Sequence, residues 1–461
     1  MLALNTTATD AAHSSSPTRP PRRVLVLYAV GQAGMALAGT SVTNLLEYFY
    51  YPPETTHGHS LFPMFIAQGM FLGLTILGAI GSFGRFFDAI LDPIIAYFSD
   101  KATFRFGKRR TFMAFSAVPF ALFAWLVFCP PLGYASGVNM AWLFGMIMLY
   151  YISFTLYVVP YTALISELGH TEKDSLLIST LLSVSFAIGF VAVSSVYSLQ
   201  SILEHYYPSV RAFQIAMGGL MLLAAALMFV PVVFVDENRY ALTSSVMPPI
   251  REAWLRIWRN TDFRWFAISD LFYWCAITFI QKGGIYYMTV LLHLPKWYST
   301  IFQVGILVLS FFCYIPINWA SLRYGKKRMV NVSFLMLGTM FLLVPFAGKI
   351  PLDFTLQMVV LILLSFFPLA TFGILQNVIV ADIVRDQLRK TGTAQAGMFY
   401  AVRTMMMKFG VSLATLIFPS LLALGKSTDN DIGIRLTGVV AFVFCMIGFA
   451  VFQYYRETTM E

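Results

Sequence analysis

The chain has 461 residues, of which 58% are hydrophobic, 16% aromatic and only 11% charged. This composition, with a mean hydropathy of +0.72, indicates a polytopic membrane protein. The net charge of +9 does not indicate a nucleic-acid-binding protein, because most basic residues lie in short loops between hydrophobic runs.

Residues 1–23 are rich in Ser, Thr, Pro and Ala, which predicts a disordered tail. The chain then contains twelve apolar runs that are long enough to cross a bilayer. We place them at residues 24–50, 69–98, 111–129, 139–165, 176–200, 212–235, 264–292, 299–320, 330–348, 354–384, 395–424 and 433–455. Residues 456–461 form a second short tail.

Lysine and arginine are distributed unevenly between the loops. They are concentrated on the side of the membrane that holds both tails, and few lie on the other side: Arg211, Lys296, Lys349, Lys426 and Arg435. Cytoplasmic loops carry the excess of Lys and Arg in membrane proteins. We therefore expect a multi-pass protein of the cell membrane with both termini in the cytoplasm.

Three ionisable residues interrupt the second run, in the segment 84–93 (GRFFDAILDP). Arg85, Asp88 and Asp92 are three and four residues apart, so a helix presents them on one face. Each charge at mid-depth of a bilayer costs at least about 2.5–3.5 kcal/mol, so this face is expected to border a water-filled cavity and an ion or substrate path. Two neighbouring carboxylates can hold a proton or another cation. An Arg85–Asp88 pair that only fixes helix packing is the alternative, but it leaves Asp92 unexplained.

A basic loop with a glycine recurs in the chain. Residues 104–110 (FRFGKRR) and 322–328 (LRYGKKR) lie 218 positions apart, after the second and the eighth run. This repeat predicts two six-helix bundles, residues 24–235 and 264–455, with the parallel duplication of the major facilitator fold. The acidic pair is not repeated, because the same offset leads from Asp88 to Ile306 and from Asp92 to Ser310.

The two halves are joined by a polar linker, residues 236–263. Within it, Ile250, Trp254 and Trp258 are apolar at helical spacing among basic residues, which predicts an amphipathic helix on the membrane surface.

Further polar residues lie inside or at the ends of the runs. Lys408 and Arg403, both in the eleventh run, are candidates for a charge network with Arg85 and the acidic pair. Lys408 is placed to pair with the two aspartates when no cation is bound. Lys282 either lines the outer half of the cavity or reaches the external surface. Asp270 and Glu47 lie near the ends of their runs and are interpreted as packing or interface residues.

Two sets of residues are candidates for the substrate path. Aromatic and amide side chains at mid-depth could hold a substrate: Tyr28, Gln32, Tyr161, Thr162, Gln376 and Asn377. Charged residues near the cytoplasmic ends could form an inner gate: Asp382, Arg385, Arg105 and Arg323. The sequence has no nucleotide-binding loop, zinc-ligand pattern or nucleophile elbow, so we expect no enzymatic activity and no cofactor. The expected partners are a small-molecule substrate and membrane lipid, and the protein is expected to be a monomer.

Several of these segments, in order, resemble the glycoside–pentoside–hexuronide:cation symporter family of the major facilitator superfamily. They are GRFFDAILDP (84–93), FRFGKRR (104–110), VPYTALISEL (159–168), ADIVRD (381–386) and the run at 390–410. The resemblance implies an all-α membrane protein of twelve helices that moves a sugar together with Na⁺ or H⁺. It also implies a cation site at Asp88, Asp92 and Thr155, with Lys408 and Arg85 close by; in a sodium-coupled protein the two aspartates would bind Na⁺.

The chain departs from melibiose permease, the best-known member of that family, at several positions. Leu91 replaces an Asn that supplies an oxygen ligand, so the choice between Na⁺ and H⁺ stays open. The two sugar-binding aspartates align with Ala36 and Val158, and a tryptophan aligns with Thr162. A melibiose-like galactoside site is therefore not expected. Transport of a lysophospholipid or another amphipathic anion, and a non-transporting receptor, are the alternatives.

Overall fold

A computed structural model describes residues 18–53, 62–67, 69–71, 74–102, 104, 106–240, 258–391 and 396–457. The first half contains α1 (Arg22–Tyr50), α2 (Ile76–Lys101), α3 (Lys108–Leu126), α4 (Gly137–Leu168), α5 (Glu172–Ser194), α6 (Val196–Leu203), α7 (Ser209–Phe234) and the single turn α8 (Glu237–Tyr240). The second half contains α9 (Thr261–Tyr286), α10 (Tyr298–Phe312), α11 (Tyr314–Tyr324), α12 (Lys326–Leu343), α13 (Phe354–Thr391), α14 (Ala396–Leu422) and α15 (Ile432–Phe452). A π-helical turn (Tyr287–Leu291) extends α9, and a 3₁₀ turn (Val344–Phe346) extends α12.

The described part of the chain is helical and membrane-spanning, as predicted. Nine of its helices are long and apolar enough to cross a membrane, and the bent pair α10 and α11 adds a tenth. Helix α2, which carries Arg85, Asp88 and Asp92, and α3, which begins with three basic residues, are not among these nine. The count of twelve spans stays a prediction.

Three of the predicted runs differ from the observed helices. The second run starts with a short antiparallel hairpin, β1 (Met70–Phe71) and β2 (Leu74–Thr75), and its helix begins only at Ile76, where the Thr75 hydroxyl caps it. The fifth run is interrupted at Ser195, between α5 and α6. The eighth run bends by 54° between α10 and α11. Pro316 lies just after this bend, and its missing N–H and its ring disrupt the preceding turn.

Residues 18–23, predicted as part of a disordered tail, are tied to the first half. The N–H of Thr18 donates to the carbonyl of Arg239 at 3.0 Å. Arg19 donates two hydrogen bonds to Asp174, at 2.8 and 2.9 Å, and these bonds lower the pKa of that carboxyl. The remainder of the predicted tail, and most of the predicted amphipathic helix of the linker, lie outside the described residues.

The repeated basic loops have the same structure in both halves: a glycine precedes a helix, and a glutamate side chain caps the N-terminus of that helix. Gly107 and Gly325 precede α3 and α12 with φ angles of 101° and 87°, which glycine adopts without strain. The Glu237 carboxylate accepts a hydrogen bond from the N–H of Arg110 at 2.9 Å. The Glu457 carboxylate accepts one from the N–H of Lys326 at 2.6 Å. In both cases a negative charge partners free N–H groups at a helix N-terminus.

The helices pack mainly within each half. Helix α1 packs against α5 and α7, and α4 packs against α2 and α3. In the second half, α9 packs against α14 and α15, and α12 packs against α13 and α15. The halves meet where α2 lies against α14, α5 against α10, and α1 against α9.

Helices α2 and α14 approach closely because α2 presents glycines. A Cβ atom on Gly78 would lie 2.7 Å from the carbonyl oxygen of Leu416, and one on Gly81 would lie 2.9 Å from Cγ2 of Thr415. Small residues allow such backbone contact in membrane helices. We call Gly78 and Gly81 the glycine seam, and it sets the distance between the two halves.

Replacing Gly81 by leucine is expected to prevent the two halves from closing at the glycine seam. The added side chain has no room beside Thr415, and overpacking of this kind costs about 1–3 kcal/mol. We expect a lower Tm and slower transport in reconstituted vesicles. Gly145→Leu is the matched control, because a Cβ there meets nothing within 4 Å. Wild-type transport by Gly81→Leu would show that close approach at this position is not needed.

Candidate cation and substrate site

The two aspartates of α2 converge on one lysine of α14. The Nζ atom of Lys408 lies 2.8 Å from Oδ2 of Asp88 and 2.6 Å from Oδ2 of Asp92. Asp88 is completely buried, and the Lys408 side chain is only 10% exposed. A single ammonium group thus joins both carboxylates of the first half to the second half of the protein.

Helix α4 completes this site with a hydroxyl group. Oγ1 of Thr155 lies 2.7 Å from Oδ1 of Asp88 and 2.9 Å from the carbonyl oxygen of Tyr151, and its one proton can serve either acceptor. Gly84 permits α4 to come this close, because a Cβ at that position would lie 2.5 Å from the Tyr151 ring.

Arg85 supplies the second positive charge. Its Nη1 atom lies 3.7 Å from Oδ2 of Asp88, its Nη2 donates to Oγ1 of Thr43 at 2.6 Å, and its Cζ lies 5.4 Å from the centre of the Tyr151 ring. The site therefore contains two carboxylates and two cationic side chains. These four charges cancel when both aspartates are ionised.

A second buried ion pair joins the halves nearer the end at which α1 finishes, which we call the outer end. Nζ of Lys282 lies 2.6 and 2.7 Å from the two carboxylate oxygens of Glu47 and donates to the carbonyl of Thr43 at 2.6 Å. Both side chains are at most 1% exposed. Lys282 thus does not reach the external surface, and Glu47 lies at the interface between the two halves. Thr43 contacts both Lys282 and Arg85, so it links this pair to the aspartate site.

Hydrogen bonds and ion pairs between the halves lie at the outer end and at mid-depth. Besides those already given, they join Thr75 to Ser420, Ser82 to Ser412, Ser194 to Gln303 and Thr300, Ser198 to Thr300, Tyr51 to Tyr286, and Glu204 to Lys296. Among the described residues, the polar contact between the halves that lies farthest from the outer end is the one between Lys408 and Asp92. The described halves are thus closed together at the outer end.

Arg403 does not join the aspartates of α2. Helical geometry turns it away from Lys408, and its Nε lies 3.3 Å from Oδ2 of Asp270. Its other nitrogens donate to Oδ1 of Asn377 at 2.9 Å and to the Gln376 amide oxygen, and the Gln376 amide donates to Asp270. Asp270, interpreted from the sequence as a packing residue, is therefore the buried centre of a polar cluster within the second half.

The aromatic candidates of the first half pack against each other. Tyr28 and Tyr161 are fully buried and stacked at 4.5 Å, and each hydroxyl donates to the backbone carbonyl of the other residue. This arrangement fixes α1 against α4 and leaves neither ring free to contact a substrate. Gln32 is half-buried, and Thr162 is exposed with its hydroxyl directed to backbone carbonyls of its own helix.

Three of the residues predicted as an inner gate are described by the structure, and they do not connect the described parts of the two halves. Asp382 forms ion pairs with Lys326 and, at 2.8 Å, with Arg385, all within the second half. Arg323 is exposed and stacks on Trp319 with 5.4 Å between Cζ and the ring centre. Arg105 lies outside the described residues.

The aspartate site suits a proton or a monovalent cation. It offers carboxylate oxygens from Asp88 and Asp92 and a hydroxyl from Thr155, and Leu91 adds no ligand. Within the described ranges, no group of three or more His, Cys, Asp or Glu side chains could hold a metal ion. The Lys408 ammonium stands where a bound cation would contact both carboxylates.

Buried charges between two halves built from membrane-spanning helices are typical of membrane transporters, and comparison with known proteins agrees. The sequence pattern of MFS/sugar transport proteins matches residues 27–454. The chain therefore belongs to this family, the glycoside–pentoside–hexuronide:cation symporters of the major facilitator superfamily.

Individual relatives are distant. An uncharacterised symporter of Bacillus subtilis is 25% identical over 344 residues, which cover 72% of this chain and 71% of the relative. A putative glycoside/cation symporter of Escherichia coli is 21% identical over 91% of this chain and 87% of its own length. The crystal structure of a D-xylose–proton symporter superimposes with a TM-score of 0.62 at 14% identity, covering 95% of this chain and 97% of that one. The structural likeness supports the fold alone.

Proposed function

We propose that this transporter couples the uptake of a sugar or glycoside to a cation, Na⁺ or H⁺, that binds at Asp88 and Asp92. The observation that carries the proposal is the contact of both carboxylates with one ammonium group, Lys408 Nζ, at 2.8 and 2.6 Å. A cation that binds both carboxylates competes with Lys408 for the same oxygens. Binding of the ion therefore releases the lysine.

Release of Lys408 weakens a contact between the halves. The aspartates belong to α2 and the lysine to α14, and these two helices pack directly against each other. In the empty site the four charges of Arg85, Lys408 and the aspartates cancel. A bound cation leaves one excess positive charge, so Lys408 is driven from the carboxylates. Ion occupancy can thereby shift the equilibrium between conformations with different openings.

The closed outer end supports transport by alternating access. Glu47 and Lys282 join the halves there, and the innermost polar contact between described halves is the one at the aspartate site. We infer a conformation that is closed to the outside. The outer contacts must break and re-form in each transport cycle.

The substrate class is proposed from the relatives and from the polar cluster of the second half. One relative, in Escherichia coli, is named a putative glycoside/cation symporter. Asp270, Gln376, Asn377 and Arg403 together offer hydrogen-bond donors and acceptors with no net charge, which suits the hydroxyl groups of a neutral sugar. Asn377 is exposed, so a ligand can reach this cluster.

A thermal-shift screen of the purified protein tests this proposal. We expect a glycoside to raise the Tm in the presence of one cation and not when K⁺ replaces it, because ligand and ion favour the same state. Each glycoside is measured in Na⁺, in K⁺ and at several pH values. A Tm increase that is the same with Na⁺ and with K⁺ and does not change with pH would contradict coupling to a cation. Stabilisation by lysophospholipids alone would contradict the sugar assignment.

A further inference from the structure

A cavity of about 410 Å³ lies at the end of the second half opposite the outer end, between α11, α12 and the segment after α15. Its lining is basic, with Arg323, Tyr324, Lys327, Arg328, Asn331 and Glu457. It lies outside the candidate transport site. Arg323 was predicted from the sequence as a gate residue, but it contacts no partner among the described residues of the first half.

The backbone already satisfies two of the charges in this cavity. The Glu457 carboxylate accepts hydrogen bonds from the N–H groups of Lys326 and Lys327, at 2.6 and 3.1 Å. Nζ of Lys327 donates to the carbonyls of Gln453 and Tyr455, both at 2.6 Å. The Glu457 carboxylate is therefore held at the N-terminus of α12 and the Lys327 ammonium at the end of α15, and within the described residues neither group is hydrogen-bonded to Arg323 or Arg328.

Arg323 and Arg328 are exposed, and neither forms an ion pair within the part of the chain that the structure describes. The Arg323 guanidinium lies 5.4 Å from the Trp319 ring and 5.6 Å from the Tyr324 ring, which holds its charge at the cavity wall. With Lys327 and Glu457 included, the cavity carries three basic side chains and one carboxylate, which gives it a net charge of two positive.

The matching loop of the first half uses its arginines differently. Nη2 of Arg109 lies 3.1 Å from Oε1 of Glu167, and the pair is buried. Arg110, which lies 218 residues before Arg328, donates from Nη2 to the carbonyl of Val233 at 3.1 Å. In the first half, Arg109 and Arg110 of the repeated loop therefore bind other groups of the protein. In the second half, Arg328 lines an open cavity.

An apolar stripe on α11 leads to this cavity. Ile315, Trp319 and Leu322 follow the spacing i, i+4, i+7 on one face and are 83%, 58% and 79% exposed. In a membrane protein such a face contacts acyl chains. We propose that the cavity binds the phosphate group of an anionic phospholipid, with Arg323 and Arg328 on the phosphate and the acyl chains along this stripe.

Lipid titration of the full-length protein, followed by native mass spectrometry, tests this site. We expect phosphatidylglycerol to bind more tightly than phosphatidylcholine. Arg323→Gln and Arg328→Gln should each weaken phosphatidylglycerol binding about fivefold, the equivalent of about 1 kcal/mol per basic residue. Arg211→Gln is the matched control, because it removes an exposed arginine of the first half, on the predicted external side.

The lysine replacements Arg323→Lys and Arg328→Lys serve as a second series that retains the charge and should keep most of the affinity. If Arg211→Gln weakened phosphatidylglycerol binding as much as Arg323→Gln, the effect would come from the overall charge of the protein, and the proposed site would be wrong. Unchanged binding in the Arg323→Gln/Arg328→Gln variant would also overturn the site. A thermal shift produced by inorganic phosphate as large as that produced by phosphatidylglycerol would overturn the lipid as the ligand.

Discussion

Replacement of Asp88 by asparagine is expected to abolish accumulation of substrate against its gradient. Asparagine retains the shape of the side chain but removes the charge that faces Lys408, Arg85 and Thr155. The site is then left with one excess positive charge and repels the coupling cation. Breaking a buried ion pair costs about 3–5 kcal/mol, and a loss of this size in ion binding corresponds to about two to three and a half orders of magnitude in affinity.

Uptake into proteoliposomes with an imposed Na⁺ or H⁺ gradient measures this loss. Asp429→Asn is the matched control, because it neutralises an exposed carboxylate by the same substitution. Exchange of substrate at equal concentrations on both sides should survive in Asp88→Asn, which separates a loss of coupling from a loss of folding. A wild-type accumulation ratio in Asp88→Asn would refute the coupling role.

Replacement of Lys282 by methionine is expected to open the outer end. Methionine fills a similar volume but leaves the Glu47 carboxylate buried without its only ion-pair partner among the described residues. An uncompensated buried charge is unfavourable by about 3–5 kcal/mol, so the closed conformation should lose population to one in which water reaches Glu47. The variant should then unfold at lower temperature and transport slowly.

The Lys282→Met/Glu47→Gln variant serves as the control for this prediction. With both charges removed, no carboxylate is stranded, so most of the lost stability should return. The reactivity of a cysteine placed at Thr43 toward an external thiol reagent reports the opening directly. Equal reactivity in the wild type, the single and the double variants would show that this ion pair does not hold the outer end closed.

The charged face of α2 could be predicted from the sequence because all of its charged residues lie in one short segment. Arg85, Asp88 and Asp92 lie within one apolar run, so their helical spacing is enough to place them together. The approach of Lys408 required a different argument, that a buried cation needs an anion. The structure places its ammonium between the two aspartates.

The partners of the other buried charges could not be predicted in the same way. Glu47 and Lys282 are 235 residues apart, and each residue alone fits several helix environments. Asp270 was interpreted as a packing or interface residue because it lies near the end of its run, and its partner Arg403 is 133 residues away. Arg403 pairs with Asp270 because α9, α13 and α14 pack together, and this packing is not visible in the sequence.

Some of the missed features did have a sequence signal. Gly78, Gly81 and Ser82 form a row of small residues on α2, and Ser412 and Thr415 form another on α14. Such rows indicate close helix contact in membranes. Glu237 and Glu457 lie 220 residues apart, so the 218-residue offset of the basic loops leads from Glu237 to Tyr455 and does not pair the two glutamates.

The cancellation of charge at the aspartate site has a consequence for the influence of membrane voltage. On the proposed coupling, an empty site with two carboxylates, Arg85 and Lys408 carries no net charge, so the return of the empty protein would not depend on the transmembrane potential. On the proposed coupling, the protein that holds one cation carries one positive charge through the change in access. A potential of 100 mV, negative inside, would favour this inward step by up to about 2.3 kcal/mol. The voltage would then act on the step that carries substrate.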